Sequence, residues 1–308
     1  MAYDPNKLQL TKVLQQLYRR LGGVVTLATD GTQSVAVDSK LADQLGEGNI
    51  DDFLNGGTLI VVDTTDGNAP EGEFSYIEDY NSTSTSISLS PDLTAPIGAG
   101  DRIMFIGADF PLYDMIEVVN DALKYLGEVP VPDTSITTAD SQTEYTLPAA
   151  LVGKQLLDVE VQGQLGDADN NLFIPVENWK PIPPSTMGGN GTLVLPQLAA
   201  GYQVRLTYLG IHPRVEAYDA NISQFLHPDL VHACVFAHAV QWKNDQNAVQ
   251  GAPDNALIAL EQKAWSQFDR ARILHPITIA PRRIQGMPHW TPDTYNRSAL
   301  NPPYQWYG

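Results

Sequence analysis

Three of the six histidines, the one cysteine and a scatter of carboxylates are the residues whose types and spacing raise the question of metal binding or catalysis. His227, His232 and His238 lie in one run, HPDLVHACVFAH, that reads as helix. Steps of five and six turn His232 away from the other two and leave His227 and His238 about three turns apart. Metal-binding histidines on one helix want a spacing of three or four, so no zinc site is expected here, and His238 is expected in a core or an interface. Cys234 lies in the apolar stripe of the same helix; as the single cysteine it can form no internal disulfide and reads as a buried structural thiol rather than a nucleophile. Asp167-Ala168-Asp169-Asn170-Asn171 imitates the start of a calcium loop, but Leu172 stands where the turn glycine belongs and Asn178 where the bidentate glutamate belongs. At most it offers a weak, adventitious cation site. Asp140, Glu144, Asp158 and Glu160 supply carboxylates of the kind paired in glycoside hydrolysis, a pairing that any acidic protein offers. There is no Gly-rich phosphate loop with a following lysine, no Rossmann fingerprint, no G-x-S-x-G and no H-E-x-x-H. The expectation is a protein that is not an enzyme, with no catalytic residues, cofactor or metal.

The elements that position these residues follow from periodicity. His227–Leu274 reads as two helices joined by a polar loop, Asn244–Gly251. Val231, Val235, His238 and Trp242 form the stripe of the first, with Leu230, Cys234 and Ala237 beside them. Leu257, Leu260, Ala264, Phe268 and Ala271 form that of the second. Pro228 and Pro253 sit where a first-turn proline is tolerated. A third helix opens at Pro111, carries Leu112, Ile116, Val119, Leu123 and Leu126 on one face, and closes at Gly127; it is the expected partner of the hairpin. Glu128–Pro132 must then be extended, because each proline biases the residue before it away from helix. Near the N-terminus, Asp4-Pro5 marks a helix start, Leu10, Leu14, Leu17 and Leu21 share a face, and Gly22-Gly23 ends the helix.

Between 24 and 107 the rhythm changes to short β runs with frequent turn residues. Strands are expected at Val24–Thr29, Ser34–Asp38, Thr58–Asp63, Phe74–Tyr80, Ser86–Ser90 and Arg102–Ile106, forming a small barrel or sandwich. Glu71, Glu73, Glu78 and Asp79 fall near strand ends and are expected on a solvated face. Strands return at Glu144–Leu147, Leu156–Gln162, Leu172–Glu177, Gly191–Leu195 and Tyr202–Leu209, with Gly163–Asn171 and the Pro/Gly-rich Lys180–Asn190 as long loops. The fold class is α+β: a helical core of one helix plus a C-terminal αα-hairpin, with an inserted β-domain. Its segments are an N-terminal helix (1–21), a β-barrel or sandwich (22–110), the first core helix and extended turn (111–139), the inserted β-domain (140–210), the hairpin (211–274) and an extended arm (275–308).

Charge and length narrow the class further. A chain of 308 residues can build two or three domains, and 43% hydrophobic content is ordinary for a globular protein. No apolar run is long enough to span a membrane and no charged-then-apolar leader opens the chain, so neither a span nor a secretion signal is expected. Of the formal −18, residues 1–21 carry +3 and 270–308 carry +4, leaving −25 between them. Such a body does not attract phosphate backbones. Basic ends on an acidic body suit docking onto acidic surfaces of a copy or a partner, although solubility alone accounts for the body. The arm holds Trp290, Tyr295, Tyr304, Trp306 and Tyr307 with Arg282, Arg283 and Arg297 among six prolines. Proline forbids long helix or central strand there, while aromatic and arginine side chains are what anchors a segment in a partner's grooves.

The run DMIEVVNDALKYLGEVPV, residues 114–131, resembles the opening helix of head-to-tail adaptor proteins of tailed bacteriophages. In that family a VNxxLxxLGExPV helix and turn precedes a β-excursion and then a hairpin of two helices. Val119, Asn120, Leu123, Leu126, Gly127, Glu128, Pro130 and Val131 carry the match, Trp242–Arg272 is similar to the closing helices, and the likeness spans roughly 111–274. Residues 1–110 depart from the short family members. The resemblance implies a homo-oligomeric, dodecameric ring in the neck of the virion, made in the host bacterial cytoplasm. It would bind the portal protein and tail or neck proteins and continue a channel through which DNA passes without sequence-specific binding. Two rivals remain. A carbohydrate-binding or fibre-type β-module would present Tyr76, Tyr80 or Trp179 on a sheet face, and a cell-wall hydrolase would need a carboxylate pair in a cleft.

Overall fold

Leu10, Val13, Leu14, Leu17 and Tyr18 recur at helical steps and form the buried face of α1 (Leu10–Arg20). No side chain caps its first turn; instead the N–H groups of Leu10 and Thr11 donate to the carbonyls of Ala220 and Tyr218, at 3.0 and 3.1 Å. Gly22, at φ +92°, supplies the left-handed residue that stops it. The computed structural model describes residues 7–46, 50–163, 172–186, 189–252 and 254–277. They divide into two units, one from the described parts of Met1–Val129 and Gly210–Ile279, the other from those of Pro130–Leu209.

In the first unit β1 (Val24–Leu27), β2 (Asp30–Gly31), β3 (Val35–Val37), β4 (Thr58–Asp63), β5 (Phe74–Asn81), β6 (Ser86–Ser90) and β7 (Arg102–Ile106) form one antiparallel sheet. Its order is β1-β7-β4-β5-β6-β3-β2. The two edges, β1 and β2, are almost continuous along the chain, so the sheet wraps round a core that includes Leu59, Val61, Ile77, Ile87, Ile103 and Phe105. A short helix α2 (Leu41–Leu45), without a counterpart among the expected elements, buries Leu41 in that core. One expectation fails here, and the carbohydrate-binding alternative loses one of its aromatic residues. A bulge between Ile77 and Asp79 shifts the inward side of β5 by one residue, which turns Tyr80 into the core at 1% exposure. Glu73 is buried as well, at 4%: its carboxylate accepts the Thr94 N–H (2.8 Å) and the Thr94 hydroxyl, pinning the loop before β7. Asp38 and Asp101 serve other turns in the same way, accepting from Lys40 N and Thr26 Oγ1, and from Thr65 N and Gly98 N. Buried carboxylates satisfied by backbone donors are what a small barrel uses to fix its turns.

The remaining helices of this unit are α3 (Leu112–Tyr125), α4 (Pro228–Val249) and α5 (Asn255–Leu274). α3 begins after Pro111 and is closed by Gly127 at φ +94°. α4 starts with Pro228 at its first turn and runs on through Asn244–Val249, the segment expected as loop; Gly251 at φ +73° then breaks it. The extension is held by Asn244, whose amide donates to Glu261 on α5 at 2.7 Å. α5 starts at Asn255, capped by the Asp254 carboxylate on Ala256 N (2.8 Å). Buried residues Leu230, Val231, Ala233, Cys234, Val235, Phe236, Ala237, Ala239 and Val240 surround α4, which packs against α1, α3 and α5. It is the central helix of the unit.

The second unit holds β8 (Glu128–Thr137), β9 (Glu144–Thr146), β10 (Leu156–Gln162), β11 (Phe173–Pro175), β12 (Lys180–Ile182), β13 (Thr192–Val194) and β14 (Gln203–Ile211). They make a four-stranded sheet, β11-β10-β14-β8, and a three-stranded one, β12-β13-β9. Prolines 130 and 132 lie on edge strand β8, and Pro181 on edge strand β12, where a missing donor costs no ladder bond. β12 falls inside the segment expected as a Pro/Gly-rich loop. Along β14, Val204, Leu206 and Tyr208 face inward and alternate with Gln203, Arg205 and Thr207.

Candidate functional site

Of the motif residues, those on α3 are held by packing and hydrogen bonds within the first unit. Val119 and Leu123 are buried against the helical unit. The Asn120 amide donates to Ile116 O and to Val215 O, both at 2.9 Å, while its carbonyl accepts Val215 N at 2.8 Å. That reciprocal pair ties α3 to the chain returning toward α4. Glu117 and Arg214, paired across the same seam, are exposed and add little. His212 fixes the return further: Nδ1–H donates to Pro213 O (2.7 Å), and Nε2 accepts Ser223 N (2.9 Å), with burial holding it neutral by lowering its pKa.

The hairpin leaves several apolar side chains uncovered. Only Ala264, Phe268 and Ala271 of α5 are buried; Leu257 and Leu260, expected in the same stripe, are half-covered. Ile273 is 80% exposed, Leu274 61% and, at the far end of α4, Val249 87%. A cleft of about 300 Å³ lies between the end of α3 and the end of α5, lined by Tyr125, Leu230, Phe268, Arg272 and Pro276 among others. Beside it, Tyr125, His238, Trp265 and Phe268 form a cluster of edge-on and tilted rings with centroids 5.1 to 5.9 Å apart, so His238, expected in a core or an interface, sits half-buried among aromatic rings.

The other sequence candidates are dispersed. His232 and His238 are half-buried, each with one ring nitrogen lacking a hydrogen-bond partner among the described residues. Burial, assisted by Arg20, lowers the pKa of His232 to about 4; burial also lowers that of His238. Cys234 is buried, its thiol donating to Ala122 O at 3.6 Å, and desolvation pushes its pKa up to about 12. Glu160 is ion-paired to Arg205 across the ladder at 2.6 Å, and that guanidinium stacks on Phe173. Tyr76 and Trp179 are half-buried, and Tyr80 is in the barrel core, which removes it from any exposed aromatic platform. Asp167–Asn171 and the arm residues Arg282, Arg283, Trp290, Tyr295, Arg297, Tyr304, Trp306 and Tyr307 lie outside the described residues.

One cluster escaped sequence reading. His227, at the start of α4, and His275, just after α5, stack with ring planes 1° apart and centroids 3.7 Å apart, and Asp229 stands beside both. The signal was present: a His-Pro pair precedes the hairpin's first turn and another follows its last, and an antiparallel hairpin brings those two ends together. The chain matches no protein-family description, and no curated protein is similar to it by sequence.

Proposed function

We propose that this chain is a structural protein of a tailed-phage virion, a head-to-tail adaptor that forms a ring of about twelve copies between portal and tail. The observation that carries the reading is topological. A β unit, Pro130–Leu209, interrupts a helical unit whose parts on either side, α3 and the α4–α5 hairpin, pack together. That is the order helix, β-excursion, hairpin implied by the VNxxLxxLGExPV resemblance, and the motif's residues do the joining: Asn120 clamps Val215, and Gly127 makes the left-handed turn. A ring needs two different faces per subunit that meet head to tail, and the exposed end of α5 offers one apolar candidate. The acidic body suits a channel wall, since like charge keeps a duplex from adhering as it passes. In this reading the arm 275–308 grips a neighbouring copy or the portal, and the barrel of β1–β7 is a mount for tail or fibre proteins.

Native mass spectrometry of the purified full chain, alone and co-expressed with the portal encoded by the same genome, tests the proposal. Closed multiples of the 33.7 kDa chain, or a stoichiometric portal complex, are the expected result. A chain that stays monomeric alone and ignores the portal at every concentration refutes it.

A further inference from the structure

We propose that His227, Asp229 and His275 form a binding site for a late divalent transition-metal ion such as Zn²⁺, which staples the start of α4 to the end of α5. The three residues each offer one ligand atom, and all of these atoms lie within 4.8 Å of one another. Asp229 Oδ2 is 3.8 Å from His227 Nδ1 and 3.7 Å from His275 Nε2. Ligands bonded to one tetrahedral ion at about 2.1 Å stand about 3.4 Å apart, so the two Asp–His spacings must contract by a few tenths of an ångström and the spacing of the histidine pair, within 4.8 Å, by at most about 1.4 Å. Two imidazoles and one carboxylate, with water completing the shell, suit Zn²⁺, Ni²⁺ or Cu²⁺ and not Mg²⁺ or Ca²⁺, which want oxygen ligands.

The surroundings favour a cation on one side and leave the rings free to adjust. A face-to-face stack is a poor arrangement for two aromatic rings, which prefer offset or edge contacts. An ion between the pair supplies the attraction that the stack lacks. It must lie in the plane of each imidazole it binds, so the two rings splay from parallel on binding. His227 at 46% and His275 at 29% side-chain exposure have room to do so. The free carbonyls at the end of α5 put partial negative charge near His275, while the start of α4 and the Arg272 side chain oppose a cation. Asp229 outweighs them as the one full negative charge within ligand reach among the described residues. His227 now accepts Asp229 N–H at 3.2 Å, a long cap bond that metal ligation displaces.

The test is isothermal titration of the full chain with Zn²⁺ and, separately, Ni²⁺, with thermal unfolding followed in parallel. The expected result is one ion per chain at micromolar affinity or tighter and a raised Tm on Zn²⁺ addition. His275→Ala and Asp229→Asn, shown folded by circular dichroism, should each weaken binding by at least about tenfold. His238→Gln, which removes a histidine about three turns along α4 from His227, should leave it unchanged. No binding at millimolar Zn²⁺, or binding that survives both cluster variants, overturns the proposal. Neither result bears on ring formation, which is read from mass.

Discussion

Asn120 shows what a single motif residue does for this fold. Its amide closes two hydrogen bonds to the backbone of Val215 across a long sequence separation. Asn120→Ala leaves those backbone groups without partners and should cost about 1–3 kcal/mol in denaturant unfolding, with Asn120→Asp, which loses only the donor, in between. His232 carries a pH signature. Its folded pKa is depressed to about 4, so between about pH 6.5 and 4 the unfolded chain binds a proton the folded one does not. Stability should therefore fall as pH drops through that window, by on the order of 1–3 kcal/mol, and His232→Gln should reduce the slope without abolishing it, because His212 and His238 are depressed in the same sense. Cys234 acts at the other end of the scale. Native protein should resist thiol reagents at pH 8 and react fully once unfolded, since desolvation keeps the thiol protonated. These residue roles were only partly legible. The buried thiol follows from its place in an apolar stripe, whereas Asn120's partner, Glu73's burial and His275's stacking depend on contacts distant in sequence that no local period encodes.

At the scale of elements, the helices and most strands could be read because apolar residues recur at 3.6 or 2 positions. The misreadings have local causes. Asn244–Val249 is polar because one side of that last stretch of α4 faces solvent, and polarity was taken for a loop. β12 hides in a proline-rich stretch because an edge strand tolerates proline. Tyr80 changes side because a bulge breaks the alternation. Gly57 marks another place where the backbone decides: a Cβ there would meet Ile106 O at 2.1 Å and Leu54 O at 2.8 Å, both rigid backbone atoms. α5 separates folding from docking. Phe268→Ala, in the buried stripe, should lower stability by about 3–5 kcal/mol. Ile273→Glu and Leu274→Glu change exposed positions, should stay within about 0.5 kcal/mol of the parent stability, and should weaken self-association measured by sedimentation.

For the whole molecule, charge and topology point the same way. α1 lies between barrel and helices, with contacts to α3, α4, β4 and β7 and the Tyr18 hydroxyl 3.2 Å from Thr58 Oγ1, so it finds its partner within its own chain. In the proposed reading the outer face of α5 and the basic arm are the surfaces that meet other chains. Removing residues 278–308 should leave the helical unit folded, with near-parent thermal unfolding, while abolishing capture by a neighbour or the portal; retained assembly would locate the grip elsewhere. Electron microscopy of the purified full-length chain, with and without its portal, tests the central claim most directly. Closed rings with a central opening that admits a DNA duplex, coaxial with the portal where it is present, are expected. Dispersed single particles of monomer size in both samples would contradict it.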